Sequence, residues 1–152
     1  MRLALYQPDI PQNTGTILRT AMCLGLPVDI IEPCGFVFSS KQLRRAGMDY
    51  LNQADITRHD SWNAFQAFVV QEKARLVLLS TKAEGVYTDF SYSQDDILML
   101  GRESAGVPDE VFKATDAQVR IAMLDGARSL NVAISAAMVV GEALRQTSKT
   151  SA

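Results

Sequence analysis

The sequence predicts an α/β domain with a mainly parallel sheet flanked by helices. Short apolar runs alternate along the chain with segments whose apolar residues recur at helical spacing. One run, residues 76–79, is apolar at every position, which is typical of a strand covered on both faces of a parallel sheet. The chain has 152 residues, of which 47% are hydrophobic, enough for one well-packed core.

In the first half of the chain, Gly and Pro mark the ends of the predicted elements. Pro8 and Pro11 end the first apolar run, Gly25 ends the first helix, and Ser61 is placed to cap a later one. The predicted elements are a strand over 3–6, a helix over 16–24, a strand over 28–31, a short basic helix over 41–46, a weak strand over 54–57 and a helix over 62–70.

In the second half, strands are predicted over 76–79, 97–100 and 119–123, followed by a helix over about 131–145. We find no repeat, linker or low-complexity tract before the polar end of the chain. The sequence therefore predicts a single domain over residues 1–146, with a polar tail over 147–152.

The last predicted helix has almost no polar face before Glu142. A helix that is apolar all round has to be buried all round, and a chain of this size can hardly surround one. We therefore expect a homodimer that packs through the last helix. The alternative is an ordinary core helix within one chain.

Composition argues against several classes of protein. A formal net charge of −2, from 15 basic and 17 acidic side chains, is unlike that of proteins that coat nucleic acid non-specifically, although a local basic patch is compatible with it. Cys23 and Cys34 are too few for a disulfide scaffold, and His59 is the only histidine, so no metal site is expected. Without a signal peptide or a run long enough to cross a bilayer, a soluble cytoplasmic protein is expected.

Three polar segments stand out, at residues 13–19, 101–108 and 128–131, and the first two contain glycine. The second follows a predicted strand directly, where α/β sheets place ligands, but it lacks the Lys-Ser/Thr of a phosphate loop. Taken singly, Asn13 fits a helix cap and Arg19 a surface cation. Taken together, the segments predict one composite site.

A compact basic cluster is formed by Lys41, Arg44 and Arg45. Such residues are either a solvated helix face or phosphate contacts that position a nucleic acid without reading its sequence. Tyr50 and Trp62 could stack on bases, although core packing is the simpler role for Trp62.

With these motifs together, the chain resembles the SPOUT superfamily of RNA methyltransferases, and within it the small TrmL-like members. The resemblance covers nearly the whole chain, from LYQPDIPQNTG at residues 5–15 to GEA at 141–143. IEP at 31–33 and LRRAGMDY at 43–50 are similar to the TrmL-like subgroup in particular. The sequence departs from the family pattern at Ser104-Ala105, where Thr-Arg is more usual, at Lys82 to Gly85, whose glycine comes later than usual, and at Leu124 to Ala127, which lacks the common proline.

The resemblance implies a fold and an activity. The C-terminal part would be threaded into a deep trefoil knot, a rare exception among folds, whose loops bind S-adenosyl-L-methionine. The chain would be a homodimeric enzyme that methylates the ribose 2′-oxygen of the wobble nucleotide, cytidine or uridine, in the anticodon stem-loop of tRNA. The alternatives are a ribosomal RNA target, a non-catalytic RNA-binding assembly factor of the same fold, and an unknotted nucleotide-binding domain.

The resemblance also assigns roles to residues. The predicted catalytic residues are Arg19, Glu103, Ser129 and Asn131. The predicted cofactor-binding residues are Leu79, Ser80, Thr81, Gly101, Arg102, Glu103, Ile121, Met123, Ser129 and Leu130. The predicted RNA-binding residues are Asn13, Arg19, Lys41, Arg44 and Arg45.

Methyl transfer to a hydroxyl is an in-line displacement in which the protein supplies position and electrostatics. The hydroxyl must also lose its proton. An arginine is effectively always protonated, and its deprotonation near neutral pH costs roughly 7 kcal/mol. We therefore expect Arg19 to act as a cation that stabilises the developing alkoxide or the adjacent phosphate, and not as a simple base.

Overall fold

The computed structural model describes residues 1–45 and 51–148. In chain order the elements are β1 (Arg2–Tyr6), α1 (Pro11–Cys23), β2 (Val28–Ile31), α2 (Ser40–Arg45), a 3₁₀ turn (Leu51–Gln53), β3 (Ile56–His59), α3 (Trp62–Glu72), β4 (Arg75–Leu79), β5 (Gly85–Val86), β6 (Asp96–Leu100), α4 (Asp109–Lys113), β7 (Ala117–Arg120) and α5 (Val132–Thr147).

The strands form one seven-stranded sheet in the order β3-β2-β1-β6-β4-β7-β5. Every pairing is parallel. β6 lies at the centre, between β1 and β4, so its carboxyl end is flanked by the ends of both neighbours. The predicted α/β class with a mainly parallel sheet is confirmed.

Alternating residues of the strands build a core on each face of the sheet. On β1, Leu3 and Leu5 face α1 and α5, whereas Ala4 and Tyr6 face α3 and α4. β6 alternates in the same way and is buried at all of its positions. This burial on both faces explains why the strand sequences are nearly continuous in apolar residues.

The first helix begins earlier than the sequence pattern predicts. Pro11 occupies its first turn, where a missing N–H costs nothing, and Gly15 is buried inside the helix. Asn13 therefore lies within the first turn, and the alternative that it caps the helix is wrong. The predicted stop at Gly25 is confirmed, since this residue has a φ of +68° just after the helix.

Two strand predictions are displaced along the chain. β3 and β7 begin at Ile56 and Ala117, each two residues away from the predicted start. The two-residue β5 and the five-residue α4 were not predicted, because each is too short to show a period. The cap of α3 is as predicted: the Ser61 side chain accepts a hydrogen bond from the Ala64 N–H at 3.1 Å.

Within one chain, α5 is covered on one face only. Ala136, Val140 and Ala143 are buried against the sheet and α1, whereas Ile134 and Met138 are 55% and 36% exposed. The expectation that one chain cannot surround this helix agrees with the structure. The homodimer itself stays a prediction.

No described helix is both long and apolar enough to cross a membrane. Across residues 1–45 and 51–148, no three His, Cys, Asp or Glu side chains come together as a metal site would require. Part of the family motif at residues 46–50, including Tyr50, lies outside the described residues, and so do the side chain of Arg45 and residues 149–152 of the predicted tail.

Candidate functional site

A cavity of about 430 Å³ opens at the carboxyl ends of β4 and β6. Three loops form most of it, namely the segment after β4, the segment after β6 and the segment between β7 and α5. The amino-terminal ends of α1 and α5 complete the wall, through Ile10 and Asn13 from the first and Val132 and Ser135 from the second. The three polar segments singled out in the sequence therefore converge on one cavity.

The structure places the residues predicted to bind a cofactor in the wall of this cavity. They are Leu79, Ser80, Thr81, Gly101, Arg102, Glu103, Ile121, Met123, Ser129 and Leu130. Asn13 and Asn131 line it as well. The wall combines apolar side chains with a few polar groups, the usual make-up of a small-molecule site.

The loop after β6 closes on itself. Arg102 and Gly106 exchange two backbone hydrogen bonds, of 3.1 and 2.8 Å, and Gly106 has a φ of +63°. A Cβ added at Gly101 would lie 2.7 Å from the backbone of Gly106, so only glycine permits this approach. The two glycines thus fix the tight turn at the edge of the cavity.

The Arg102 guanidinium packs over the Tyr6 ring, 5.7 Å from its centroid. Its buried Nε has no hydrogen-bond partner among the described atoms. Arg102 therefore places a cation that is partly shielded from water in the cavity wall. At such a position an anionic or polar ligand group would be bound strongly.

The Asn131 side chain connects α5 to α1 through hydrogen bonds. Its Oδ1 accepts hydrogen bonds from the N–H groups of Ala133 and Ile134 at 2.9 and 3.3 Å, which caps α5. Its Nδ2 donates to Asn13 Oδ1 at 2.9 Å. Ser135 adds a hydrogen bond from its Oγ to the Asn131 carbonyl, so both polar ends of the Asn131 side chain and its carbonyl are held in place.

Glu103 lies in a second link between the cavity and α1. Burial raises the pKa of the Glu103 carboxyl, and its hydrogen bond to Asp9 raises it further. The same hydrogen bond holds the pKa of Asp9 below its usual range. The two directions describe a pair of interacting carboxyls in which Asp9 loses its proton before Glu103.

Arg19 and the basic residues of α2 do not line the cavity. Arg19 lies on the exposed side of α1 with Gln12, Thr16 and Cys23, whereas Asn13 faces the cavity. Lys41 and Arg44 are exposed on α2. The structure thus joins the predicted cofactor residues to Asn13 and Asn131, and leaves the predicted cations on the outer surface of the same chain.

Comparison with known proteins identifies the family. The SpoU rRNA Methylase family model matches residues 1–141. This chain belongs to that family. The resemblance predicted from the three segments is confirmed.

Two known proteins are similar to this chain over at least nine-tenths of their length. A tRNA (cytidine(34)-2'-O)-methyltransferase of Beijerinckia indica is 60% identical over 144 residues, which cover 95% of this chain and 90% of that protein. A solved structure described as giving insight into the 2-OH methylation of C/U34 on tRNA has a TM-score of 0.88 and 40% identity, over 95% of this chain and 94% of that one.

A third SpoU methyltransferase, AviRb of Streptomyces viridochromogenes, was solved in complex with AdoMet. It is 26% identical, with a TM-score of 0.86 over 96% of this chain and 60% of that chain. The SpoU fold therefore recurs in a chain that is longer than this one and that binds AdoMet.

The residues of the site that the sequence analysis missed include Ile10, Ser135 and Asp9. Ile10 and Ser135 line the cavity, and Asp9 contacts Glu103 behind it. Ile10 and Asp9 lie between Pro8 and Pro11, and this spacing was the only available signal that their loop is rigid.

Proposed function

We propose that this chain transfers a methyl group from S-adenosyl-L-methionine to the ribose 2′-oxygen of the wobble nucleotide, cytidine or uridine, in tRNA. The observation that carries the proposal is the convergence of three separate segments on one cavity at the carboxyl ends of the central strands. The activity named for the relative at 60% identity supports the choice of reaction and substrate. With tRNA as substrate, we place the enzyme in the cytoplasm.

The residues of the cavity fit S-adenosylmethionine. Leu79, Ile121 and Met123 give an apolar wall suited to a flat base, and the polar groups of Ser80, Thr81 and Ser129 border it. The shielded cation of Arg102, with its unpartnered buried Nε, offers a donor for a negatively charged or polar group of the ligand. When bound, the cofactor supplies a methyl group on a sulfonium centre.

The chain's own residues would position the ribose and stabilise the charge that develops during methyl transfer. The Asn13–Asn131 pair holds the amino-terminal ends of α1 and α5 at the edge of the cavity, where the ribose would enter. Ser129 would donate to or accept from that ribose or the cofactor. Arg19 would stabilise the alkoxide or the neighbouring phosphate as a cation. Glu103 would fix the loop after β6, since its side chain already bonds to the loop before α1.

Basic residues outside the cavity would hold the RNA. Lys41 and Arg44 are exposed on α2, which packs against α1 next to the site. Together with Arg45 they would contact phosphates of the anticodon stem-loop. Arg58, by contrast, is already paired with Glu32 and stacked over Phe38, 5.0 Å from its centroid.

We also propose that residues 1–146 form the methyltransferase domain and that its C-terminal part is threaded as the family's trefoil knot. The sheet order supports this, because β6 returns between β1 and β4 before β7 adds to the other edge of β4. α5 then packs back on β6 and α1, beside the cavity.

The proposed reaction has a direct test. Purified protein is titrated with S-adenosylmethionine by calorimetry, and total RNA from a strain lacking the gene is then methylated by the protein in vitro and mapped for 2′-O-methyl sites. We expect saturable binding of the cofactor and a new mark at the wobble position of tRNA. If the new 2′-O-methyl marks were found only in ribosomal RNA, the substrate would be ribosomal RNA and not tRNA. If the protein did not bind S-adenosylmethionine, the proposal that it is a methyltransferase would be overturned.

We further propose a homodimer in which Arg19 of one subunit completes the cavity of the other. α1 and α5 cover the same face of the sheet and pack against each other. The exposed apolar residues Ile134 and Met138 on α5 and the exposed Arg19 on α1 therefore lie on one side of the molecule. A partner covering the apolar residues would also meet Arg19, which points away from its own cavity wall.

Mixed dimers test this arrangement. Arg19→Ala and Thr81→Trp chains carrying different affinity tags are co-expressed, and the heterodimer is isolated on both tags. Thr81 lines the cavity and is exposed, so the tryptophan should block the cofactor without disturbing the core. With Arg19 acting across the interface, the heterodimer keeps one complete site and about half the wild-type rate per dimer.

Each parent homodimer should be inactive in the same assay, and a doubly tagged wild-type dimer is the control. An inactive heterodimer would place Arg19 in the cavity of its own subunit. Failure to recover any chain on both tags would contradict the dimer.

A further inference from the structure

Asp9 lies outside the cavity but contacts a residue in its wall. The Asp9 N–H donates to Glu103 Oε2 at 3.0 Å, and the Glu103 N–H donates to Asp9 Oδ1 at 3.1 Å. The Ser104 hydroxyl donates to the other carboxylate oxygen of Asp9. Two loops that are 94 residues apart in the chain are thus joined by reciprocal hydrogen bonds.

A third segment fixes Asp9 from behind. The Gly35 N–H donates to the Pro8 carbonyl at 2.9 Å, and a Cβ added at Gly35 would lie 2.5 Å from the Cβ of Asp9. With Pro8 and Pro11 on either side, the Asp9 side chain has little room except toward Glu103. Asp9 is therefore held by its surroundings in the position that meets the loop after β6.

We propose that Asp9 and Glu103 form a clamp, through the reciprocal hydrogen bonds between each carboxylate and the other residue's backbone N–H, that positions the start of α1, and with it Asn13 and Arg19, against the loop after β6. Asp9 is a positioning residue, since it touches neither the cavity nor the reacting atoms. Its effect on methyl transfer rests on the proposed function, whereas the clamp itself can be measured without any substrate.

Cys34, Arg102 and the Glu32–Arg58 pair are among the described titratable or charged groups near the clamp. The Cys34 thiol is the titratable group that faces it from the loop after β2, and burial raises the pKa of that thiol to about 11, so it is neutral across the working range. Glu32 and Arg58 lie beyond Cys34 and are paired with each other. Arg102, next to Glu103, is turned onto Tyr6.

The sign of the pH dependence follows from the two directions. The pKa of Glu103 is raised, so its contribution to stability is present at low pH and lost as the pH rises through the folded-state value. The pKa of Asp9 is lowered, so its contribution is lost as the pH falls through the folded-state value. The stability that the pair contributes should therefore be largest at pH values between the folded-state pKa of Asp9 and that of Glu103.

The first test compares melting temperatures of the full chain across pH. Asp9→Asn keeps the shape of the side chain and the oxygen that accepts from the Glu103 N–H, and removes the titrating carboxyl. Asp95→Asn, at an exposed site, makes the same change of charge and is the matched control. We expect the difference in melting temperature between wild type and Asp9→Asn to follow a bell-shaped curve with pH. The difference between wild type and Asp95→Asn should show no such curve. Parallel melting curves for wild type and Asp9→Asn would overturn the contribution of the Asp9 carboxyl to the clamp.

The second test measures methyl transfer. Asp9→Ala should lower kcat by roughly 10- to 100-fold, the usual effect of removing a group that orients active-site residues, and Asp9→Asn should restore most of it. Gly35→Ala, which presses on Asp9 without altering any charge, should lower kcat in the same direction. Normal kcat in Asp9→Ala, in a preparation whose wild type methylates tRNA, would overturn the positioning role and leave the proposed function standing. If the wild type does not methylate RNA, the melting curves still decide the clamp.

Discussion

Replacing Arg19 by alanine should slow methyl transfer by roughly 100- to 1,000-fold, while the affinity for S-adenosylmethionine stays unchanged. The magnitude is that of removing one preorganised group that stabilises charge developing in the transition state. Affinity should be kept because the residues proposed to hold the cofactor form the cavity wall without Arg19. Single-turnover rates with tRNA and calorimetry with the cofactor measure the two quantities separately.

Arg44→Ala is the matched control for the loss of one positive charge. Arg44 is exposed on α2, and as a phosphate contact it should raise KM for tRNA and reduce its salt dependence without lowering kcat. Arg19→Lys keeps the charge but not the planar fork, and should recover part of the rate. If Arg19→Ala turned over at nearly the wild-type rate with the cofactor bound normally, Arg19 would not be a catalytic residue.

The fold class could be predicted because the strands are buried on both faces. Continuous apolar runs such as residues 97–100 have few other structural explanations in a chain with alternating helices. Element ends were harder to predict where Pro or Gly lies inside an element, because these residues usually mark its end. Pro11 ended the first apolar run in the sequence, but in the structure it begins α1, five residues before the predicted start of the helix.

The cavity could be predicted as a set of segments, but not as a set of contacts. Polar residues after strand ends indicate which loops meet, because the carboxyl ends of parallel strands share one edge of the sheet. They do not indicate which side chain bonds to which. Asn131 was expected to bind a ligand, and the structure shows its side chain capping α5 and bonding to Asn13. Its Nδ2 keeps a second hydrogen that a ribose oxygen could still accept.

Side-chain contacts between residues far apart in the chain could not be predicted from the sequence. Asp9 and Glu103 are brought together only by the placement of β6 next to β1. The same holds for Asp29, an acidic residue in the middle of an apolar strand, whose partners come from β1 and β3. No local spacing encodes such contacts, since they depend on strand order.

Asp29→Ala should be the most destabilising of the changes considered, at about 3–5 kcal/mol. Asp29 is fully buried on the face of the sheet covered by α3. Its Oδ2 and Oδ1 accept hydrogen bonds from Arg2 at 2.8 and 3.1 Å, and His59 Nε2 lies 2.8 Å from the same Oδ1. Removing the carboxylate leaves the Arg2 cation without its partner next to the Phe68 ring, at 5.1 Å from the centroid.

Thermal unfolding followed by circular dichroism measures this loss. For a chain of this size, the expected decrease in Tm is on the order of 10 °C. Asp95→Ala, at an exposed position, should change Tm little and is the control for loss of a negative charge. His59→Phe should cost less than Asp29→Ala, because Arg2 keeps its carboxylate and the new ring can pack against Phe65 and Phe68. An Asp29→Ala protein as stable as the Asp95→Ala control would mean that the buried carboxylate is not what holds β1, β2 and β3 together on this face.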